Sequence, residues 1–305
     1  MKRLFGRRIV DRERQAGPDS PRIVHLPEDL RNPTRVAVYC GPTEEDAWPA
    51  LYLARAVELA YRKAELTVIC RSDVGWLFDA LHWKPRILPY ESRPSLEGRG
   101  ASPVFDEGTI LFHPYPAMDP AAAALFASSG AGLRVSAAVD CPDCVNILVR
   151  PGTPVLPDRI HGMCAVLGMQ PDRAWRPVVP GQVQEKASAR MAPVSGRTLP
   201  YIAGTPRTVS LLEKHRAEIP LRTITIAGRN SEMGEMDRET RVAAAAGASA
   251  IITDSPVLWA DARAMGVPVV GLDPAGVFQP WIGEAPTRTE KEFVEAWERL
   301  LRKGW

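Results

Sequence analysis

The chain has 305 residues, of which 45% are hydrophobic and 24% charged, and its formal net charge is +2. This is a globular composition, with length for two ordinary domains or one large one. The near-neutral charge gives no global attraction to nucleic acid, and no apolar run approaches the roughly 20 residues that span a bilayer.

Residues 1–33 read as a basic arm. Lys2, Arg3, Arg7, Arg8, Arg12 and Arg14 outnumber Asp11 and Glu13, and Pro18, Pro21, Pro27 and Pro33 break any long helix. A solvated, partly disordered arm is the plain reading. Its functional counterpart is contact with anionic lipid or with a protein partner. The apolar stretch after Lys2 and Arg3 is interrupted at once by Arg7 and Arg8, so no secretory leader is expected and the cytoplasm is the expected compartment. The arm adds peripheral contact at the inner face of the membrane to that expectation.

Strand and helix then alternate. Arg35–Tyr39 reads as a strand, 40–46 as a loop, and 47–63 as a helix with Ala50, Leu53, Ala54, Val57 and Tyr61 on one face. Leu66–Cys70 is the next strand, followed by a short helix over 74–81, a strand at Arg86–Pro89 and a polar loop over 91–107. A strand at Thr109–His113, an alanine-rich helix at Pro120–Ser128, a strand at 133–135 and a helix over 159–167 complete this half. Cys141 and Cys144 have the spacing of a zinc knuckle or a redox pair, but no second pair completes a four-ligand site, and an apparent strand at 145–149 follows them. They read as two turn cysteines in a reducing compartment, and no metal site is expected.

Residues 171–198 carry prolines, glycines and polar residues with little periodicity, as a linker does. Alternation resumes with a strand at 201–203, the loop Gly204–Arg207, a helix over 209–217, a strand over 222–227 ending at Gly228, and a helix over 240–246. The stretch 251–274 is the most explicit unit. Ile251, Ile252 and Thr253 end a strand, Asp254-Ser255-Pro256 supply a cap and a first-turn proline, Gly266 is the expected left-handed stop, and Val269 opens the next strand. A last amphipathic helix over 289–303 puts Phe293, Val294, Trp297, Leu300 and Leu301 on one face. The pattern predicts an α/β protein of two doubly wound, Rossmann-like parallel-sheet halves facing a cleft, 34–170 and 199–288, with 289–305 returning to the body.

Several of these stretches together resemble glycosyltransferase family 9, the ADP-heptose:lipopolysaccharide heptosyltransferases. AVELAYRKAELTVIC (56–70) is similar to that family's first helix and second strand, and RIHGMCAVLGM (159–169) to the helix closing its first domain. ITIAGRNSE (224–232) resembles its strand ending in Gly-Gly-Pro-Asp-Glu. DSPVLWADARAMGVPVVGLDP (254–274) resembles its Asp-Ser-Gly-Pro-x-His helix and the strand beyond. The resemblance implies a GT-B fold, with the acceptor on the first domain, the nucleotide-sugar on the second, and the terminal helix crossing back to the first domain. It places the general base on Asp46, the phosphate loop on Gly204, Thr205 and Arg207, a nucleoside contact on Gly228 and Glu232, and the helix-start site on Asp254 and Ser255. Glu45 stands where the family has a glycine, the glycine and histidine of the helix-start motif are absent, and the phosphate-loop lysine has no counterpart.

Two functions follow from the resemblance. The first is transfer of a heptose-like sugar from an ADP-heptose-like donor to a glycolipid or other glycan acceptor, without a cofactor. The second is a catalytically inactive relative that uses the fold for protein contacts.

Overall fold

A computed structural model of the chain describes residue 30 and residues 32–89, 105–138, 140, 142–195, 201–226 and 236–304. Residues 1–29 of the basic arm, Cys141, Gly228 and Glu232 lie outside the described residues, as does most of the 91–107 loop.

The first half is a six-stranded sheet built from β1 (Arg35–Tyr39), β2 (Glu65–Cys70), β3 (Arg86–Pro89), β4 (Thr109–His113), β5 (Leu133–Ser136) and β6 (Ile147–Leu148), in the order β3-β2-β1-β4-β5-β6. Every pairing is parallel. The strand order reverses between β1 and β4, and the crevice beyond their carboxyl ends is where such sheets hold ligands. The connecting helices are α1 (Ala47–Ala60), α2 (Pro120–Ser128) and α3 (Asp158–Val166). Asp119 starts α2 by accepting the Ala121 and Ala122 amides. The segment expected as a short helix at 74–81 is a 3-10 turn, Gly75–Ala80.

The second half is a four-stranded parallel sheet, β7 (Ile202–Gly204), β8 (Thr223–Thr225), β9 (Ala250–Thr253) and β10 (Val269–Gly271), in the order β10-β9-β7-β8. Its helices are α5 (Pro206–Lys214), α6 (Arg238–Gly247) and α7 (Pro256–Met265). Gly266 ends α7 in the left-handed region at φ 74°, a conformation that costs little only for glycine.

Three features differ from the sequence reading. Residues 171–198 contain a helix, α4 (Gly181–Ser195). Its apolar stripe, Val183, Ala187 and Met191, joins the core, and Lys186 pairs with Asp237 at the start of α6. The last helix, α8 (Glu290–Lys303), opens with a Thr289/Glu292 capping box. It packs Phe293, Ala296 and Trp297 on Ile202, Ile252 and Val270 of the second sheet and on Leu212 of α5, not on the first half as the resemblance suggested. Cys144 is disulfide-bonded, where two free turn cysteines were expected.

The halves share one apolar cluster that runs from Val36, Trp48 and Leu53 to Ala203, Ile251, Trp259 and Trp281. The backbone also crosses between them: Leu156 donates to the Pro280 carbonyl at 2.9 Å and its own carbonyl accepts from Ile282 at 2.9 Å. Cys40, Cys70 and Cys164 are free and buried. Burial pushes the Cys70 and Cys164 thiols up to about 12 and Cys40 higher still, so none forms the reactive thiolate near neutral pH. Iodoacetamide is expected to leave these three unlabelled in native protein and to label them in guanidinium; labelling of native Cys40 would contradict this packing.

Candidate functional site

Asp46 lies on the loop leaving β1, at the carboxyl edge of the first sheet. It occupies the N-cap position of α1 yet makes no capping hydrogen bond, so helix capping does not account for its carboxylate. Oδ2 instead accepts from the Thr43 amide at 3.0 Å and from Thr43 Oγ1 at 2.7 Å. Gly41 leaves room for this arrangement, because a Cβ there would meet Asp46 Oδ2 at 2.5 Å.

Tyr115, on the loop after β4, holds the same loop from the other side. Its hydroxyl accepts the Gly41 amide at 2.8 Å and donates to the Asp46 carbonyl at 2.7 Å. Beneath it, Tyr39 and His113 stack with centroids 5.6 Å apart. His113 bonds Ser136 Oγ through Nδ1, and burial lowers its pKa to about 4, so it is a neutral part of this platform. Burial also holds the Asp46 carboxyl above its ordinary range. The bonds from Thr43 pull the other way, nearby Asp119 adds to the rise, and the Arg159 guanidinium opposes it.

The residues flanking Asp46 cross to the second half. Glu44 pairs with Arg241 of α6, Arg241 reaches Asp261 of α7 at 3.5 Å, and Asp261 accepts from Trp48 Nε1 at 3.0 Å. Trp48 and Asp261 are both fully buried. The Asp46 loop is therefore clamped against the second half two residues before and two residues after the carboxylate.

On that second half the structure gathers the candidates that fall within the described residues. Thr205, after β7, caps α5 in a box with Thr208, and its hydroxyl donates to Asp254 Oδ1 at 2.6 Å. Arg207 faces the other Asp254 oxygen at 3.5 Å. Ser255 caps α7 through the Leu258 amide, and its own amide donates to Thr253 Oγ1 at 2.9 Å. Gly204 is glycine for packing reasons, since a Cβ there would meet Ile252 Cγ1 at 2.9 Å. Each helix start thus engages a first-turn amide from within, Thr208 in α5 and Leu258 in α7. Pro206 and Pro256 have no amide hydrogen, and the capped amides are already engaged, so α5 and α7 offer an anion fewer donors than the sequence suggested.

Sequence reasoning missed a further cation on this half. Arg238, the first residue of α6, is 5% exposed, and its Nε, Nη1 and Nη2 have no hydrogen-bond partner among the described residues. It acts on Asp261 and, across the seam, on Glu45, the neighbour of Asp46. An arginine on an alanine-rich helix reads as a solvated side chain; only the seam makes it a buried, unmatched charge. Among the described residues, no three His, Cys, Asp or Glu side chains converge as metal ligands, and no helix is long and apolar enough to cross a membrane.

No family model matches the sequence, and no curated protein does. Solved structures match its fold. A family 9 glycosyl transferase from Veillonella parvula DSM 2008 superposes with a TM-score of 0.62 at 12% identity, over 88% of this chain and 90% of that one. E. coli heptosyltransferase WaaC with ADP-2-deoxy-2-fluoro heptose gives 0.59 at 12% identity, over 88% and 99%. E. coli ADP-heptose lps heptosyltransferase II gives 0.56 at 14%, over 88% and 99%. The two-sheet GT-B architecture expected from the sequence is the architecture these chains share.

Proposed function

We propose that the chain is a divergent family 9 glycosyltransferase that moves a heptose-like sugar from an ADP-linked donor to a glycolipid or other glycan acceptor. The observation that carries this reading is Asp46, a half-buried carboxylate with raised proton affinity and no capping role, with a buried guanidinium on the facing half, Arg238, acting on its neighbour Glu45. In transfer, Asp46 takes the proton of the acceptor hydroxyl as its oxygen bonds to the anomeric carbon, and the bond from that carbon to the donor diphosphate breaks. Negative charge then grows on the departing diphosphate, where Arg238 and Arg207 stabilise it. Thr205, Gly204, Asp254 and Ser255 line the donor side, and Gly228 and Glu232 are assigned to the nucleoside. A neighbouring fold caught with ADP, E. coli WaaC, supports the choice of donor class. A glycolipid acceptor would bring the protein to the inner face of the membrane.

One observation favours the second reading, a non-catalytic relative: the α5 and α7 starts spend their capped amides internally. A thermal-shift screen against ADP-, UDP- and GDP-sugars separates the two. Stabilisation by an ADP-sugar is expected, and Arg238→Met should weaken it by roughly ten- to a hundredfold in affinity, the value of a charge-assisted hydrogen bond or two. The melting temperature without ligand should change little in that variant, because the apolar chain is of similar length and Asp261 keeps its partners Arg241 and Trp48. Indifference to every nucleotide-sugar would leave the non-catalytic reading standing.

A further inference from the structure

The transfer chemistry leaves Cys141 and Cys144 unused. Of the five cysteines, Cys40, Cys70 and Cys164 are free and buried and Cys144 is disulfide-bonded, so Cys141 is the partner left for it. Only Pro142 and Asp143 separate the two in the chain. The stabilisation a disulfide gives shrinks with the length of the loop it closes, so this bond contributes little to the fold. Cys144 ends the 3-10 turn Pro142–Cys144 and is only half-buried, next to exposed Asp143. A reductant can therefore reach it, and disulfides open to solvent are the labile ones.

The turn is also mechanically connected to the base. It lies against α2, and Cys144 and Val145 pack on the apolar cluster of Tyr39, Tyr115, Met118 and Ala122. Just before the turn, Asp140 accepts the Met118 amide at 3.1 Å. The residue after Met118, Asp119, starts α2 and accepts the Tyr39 hydroxyl at 2.9 Å. Tyr39 meets Tyr115 edge-on at 6.4 Å, and Tyr115 holds the Asp46 loop through Gly41 and the Asp46 carbonyl.

We infer that Cys141 and Cys144 form a reversible thiol–disulfide site that takes a dithiol as its reductant, and that opening the bond loosens the platform beneath Asp46. One thiolate of the reductant attacks a sulfur of the bond, which gives a mixed disulfide and a protein thiolate that takes up a proton. The second thiolate of the reductant attacks the mixed disulfide and releases the other cysteine. The protein bond thereby gains two electrons and two protons and becomes two thiols, while the dithiol becomes a disulfide. Burial keeps Cys40, Cys70 and Cys164 out of the exchange. The exchange site stands on its own geometry; the transferase reading enters only in making Asp46 the group whose position is regulated.

The test counts iodoacetamide labels on the full chain by intact mass, after oxidised glutathione and after dithiothreitol. Native oxidised protein should take none, native reduced protein two, and reduced protein in guanidinium all five. Exchanging dithiothreitol for oxidised glutathione should return the native count to none. Reduction should lower Tm by no more than roughly a few degrees, in keeping with so short a loop. Hydrogen exchange should become severalfold faster over 41–46 and 115–122 on reduction and stay unchanged over 250–265, in the second half. The double variant Cys141→Ser, Cys144→Ser should exchange like reduced wild type whatever the glutathione state. A native bond that dithiothreitol leaves closed, or two labels on native protein after oxidised glutathione, overturns the site. Reversible opening with unchanged exchange over 41–46 overturns the link to Asp46. Reversible opening that loosens 41–46 in a chain that ignores nucleotide-sugars would uphold this site and fail only the transferase reading.

Discussion

Asp46→Asn is expected to lower the rate of sugar transfer by roughly 10²- to 10⁴-fold, the range over which a positioned general base contributes. Donor affinity should stay near the wild-type value, because the proposed donor groups lie on the other half and the amide keeps the shape of the carboxylate. The amide oxygen can still accept from Thr43, whose bonds to Oδ2 are 3.0 and 2.7 Å, so the loop should keep its conformation and the loss should appear in kcat. The pH profile gives a second signature. Burial raises the Asp46 pKa, and the base works only when ionised, so kcat/KM should fall as pH drops through a value above the ordinary carboxylate range. That acid limb should vanish in Asp46→Asn. Gly41→Ala is the companion variant, since its Cβ would sit 2.5 Å from Oδ2 and must displace the carboxylate. Wild-type turnover in Asp46→Asn would remove Asp46 from the mechanism.

The second large effect is structural. Asp261→Ala should destabilise the protein by about 3–5 kcal/mol, the usual cost of removing one partner of a buried ion pair, with a fall in Tm of roughly 10 °C. Asp261 is fully buried and holds Trp48 Nε1 at 3.0 Å and Arg241 at 3.5 Å. Burial pushes its carboxyl above the ordinary range while the Arg241 guanidinium opposes the rise, so the charge depends on that partner. Trp48→Phe should cost less, about 1–3 kcal/mol, because it leaves one buried acceptor unsatisfied. A double-mutant cycle over Trp48 and Asp261 should show clear coupling between residues 213 positions apart in the chain. Additive effects would mean that the two halves are not clamped at this point.

Much of the fold was legible because its elements are bounded by local chemistry. β1, β3 and β4 have the limits read from their apolar runs, and α7 stops at Gly266 with Pro268 beyond. What escaped was information that no single segment carries. The periodicity over 47–63 marks one apolar face, yet α1 buries nearly every residue from Ala47 to Glu58. It has its own sheet on one side and the second half on the other, with Tyr52 edge-on to Trp281 at 6.2 Å. α4 was hidden because its stripe of Val183, Ala187 and Met191 is a single residue wide in a polar helix. The resemblance sends α8 to the first domain, whereas Phe293 and Trp297 find their apolar surface on the adjacent sheet.

The candidate site shows the same division. Thr205, Arg207, Asp254 and Ser255 were readable because they sit where strands give way to helices, and the fold brings them together. Asp261 had a visible signal: a lone carboxylate among Trp259, Ala260, Ala262 and Ala264 on an apolar helix is a buried charge seeking a partner. Arg159 and Arg238 had none, since an arginine on a helix is ordinarily solvated, and their isolation is a property of the packed halves.

The account depends most directly on donor binding between the halves, and isothermal calorimetry of the full chain with ADP-heptose, ADP, UDP-sugars and GDP-sugars measures it. The expected result is one ADP-linked donor per chain, bound with unchanged affinity by Asp46→Asn and with clearly reduced affinity by Arg207→Ala and Arg238→Met. No heat of binding for any nucleotide or nucleotide-sugar at millimolar concentration would contradict the account.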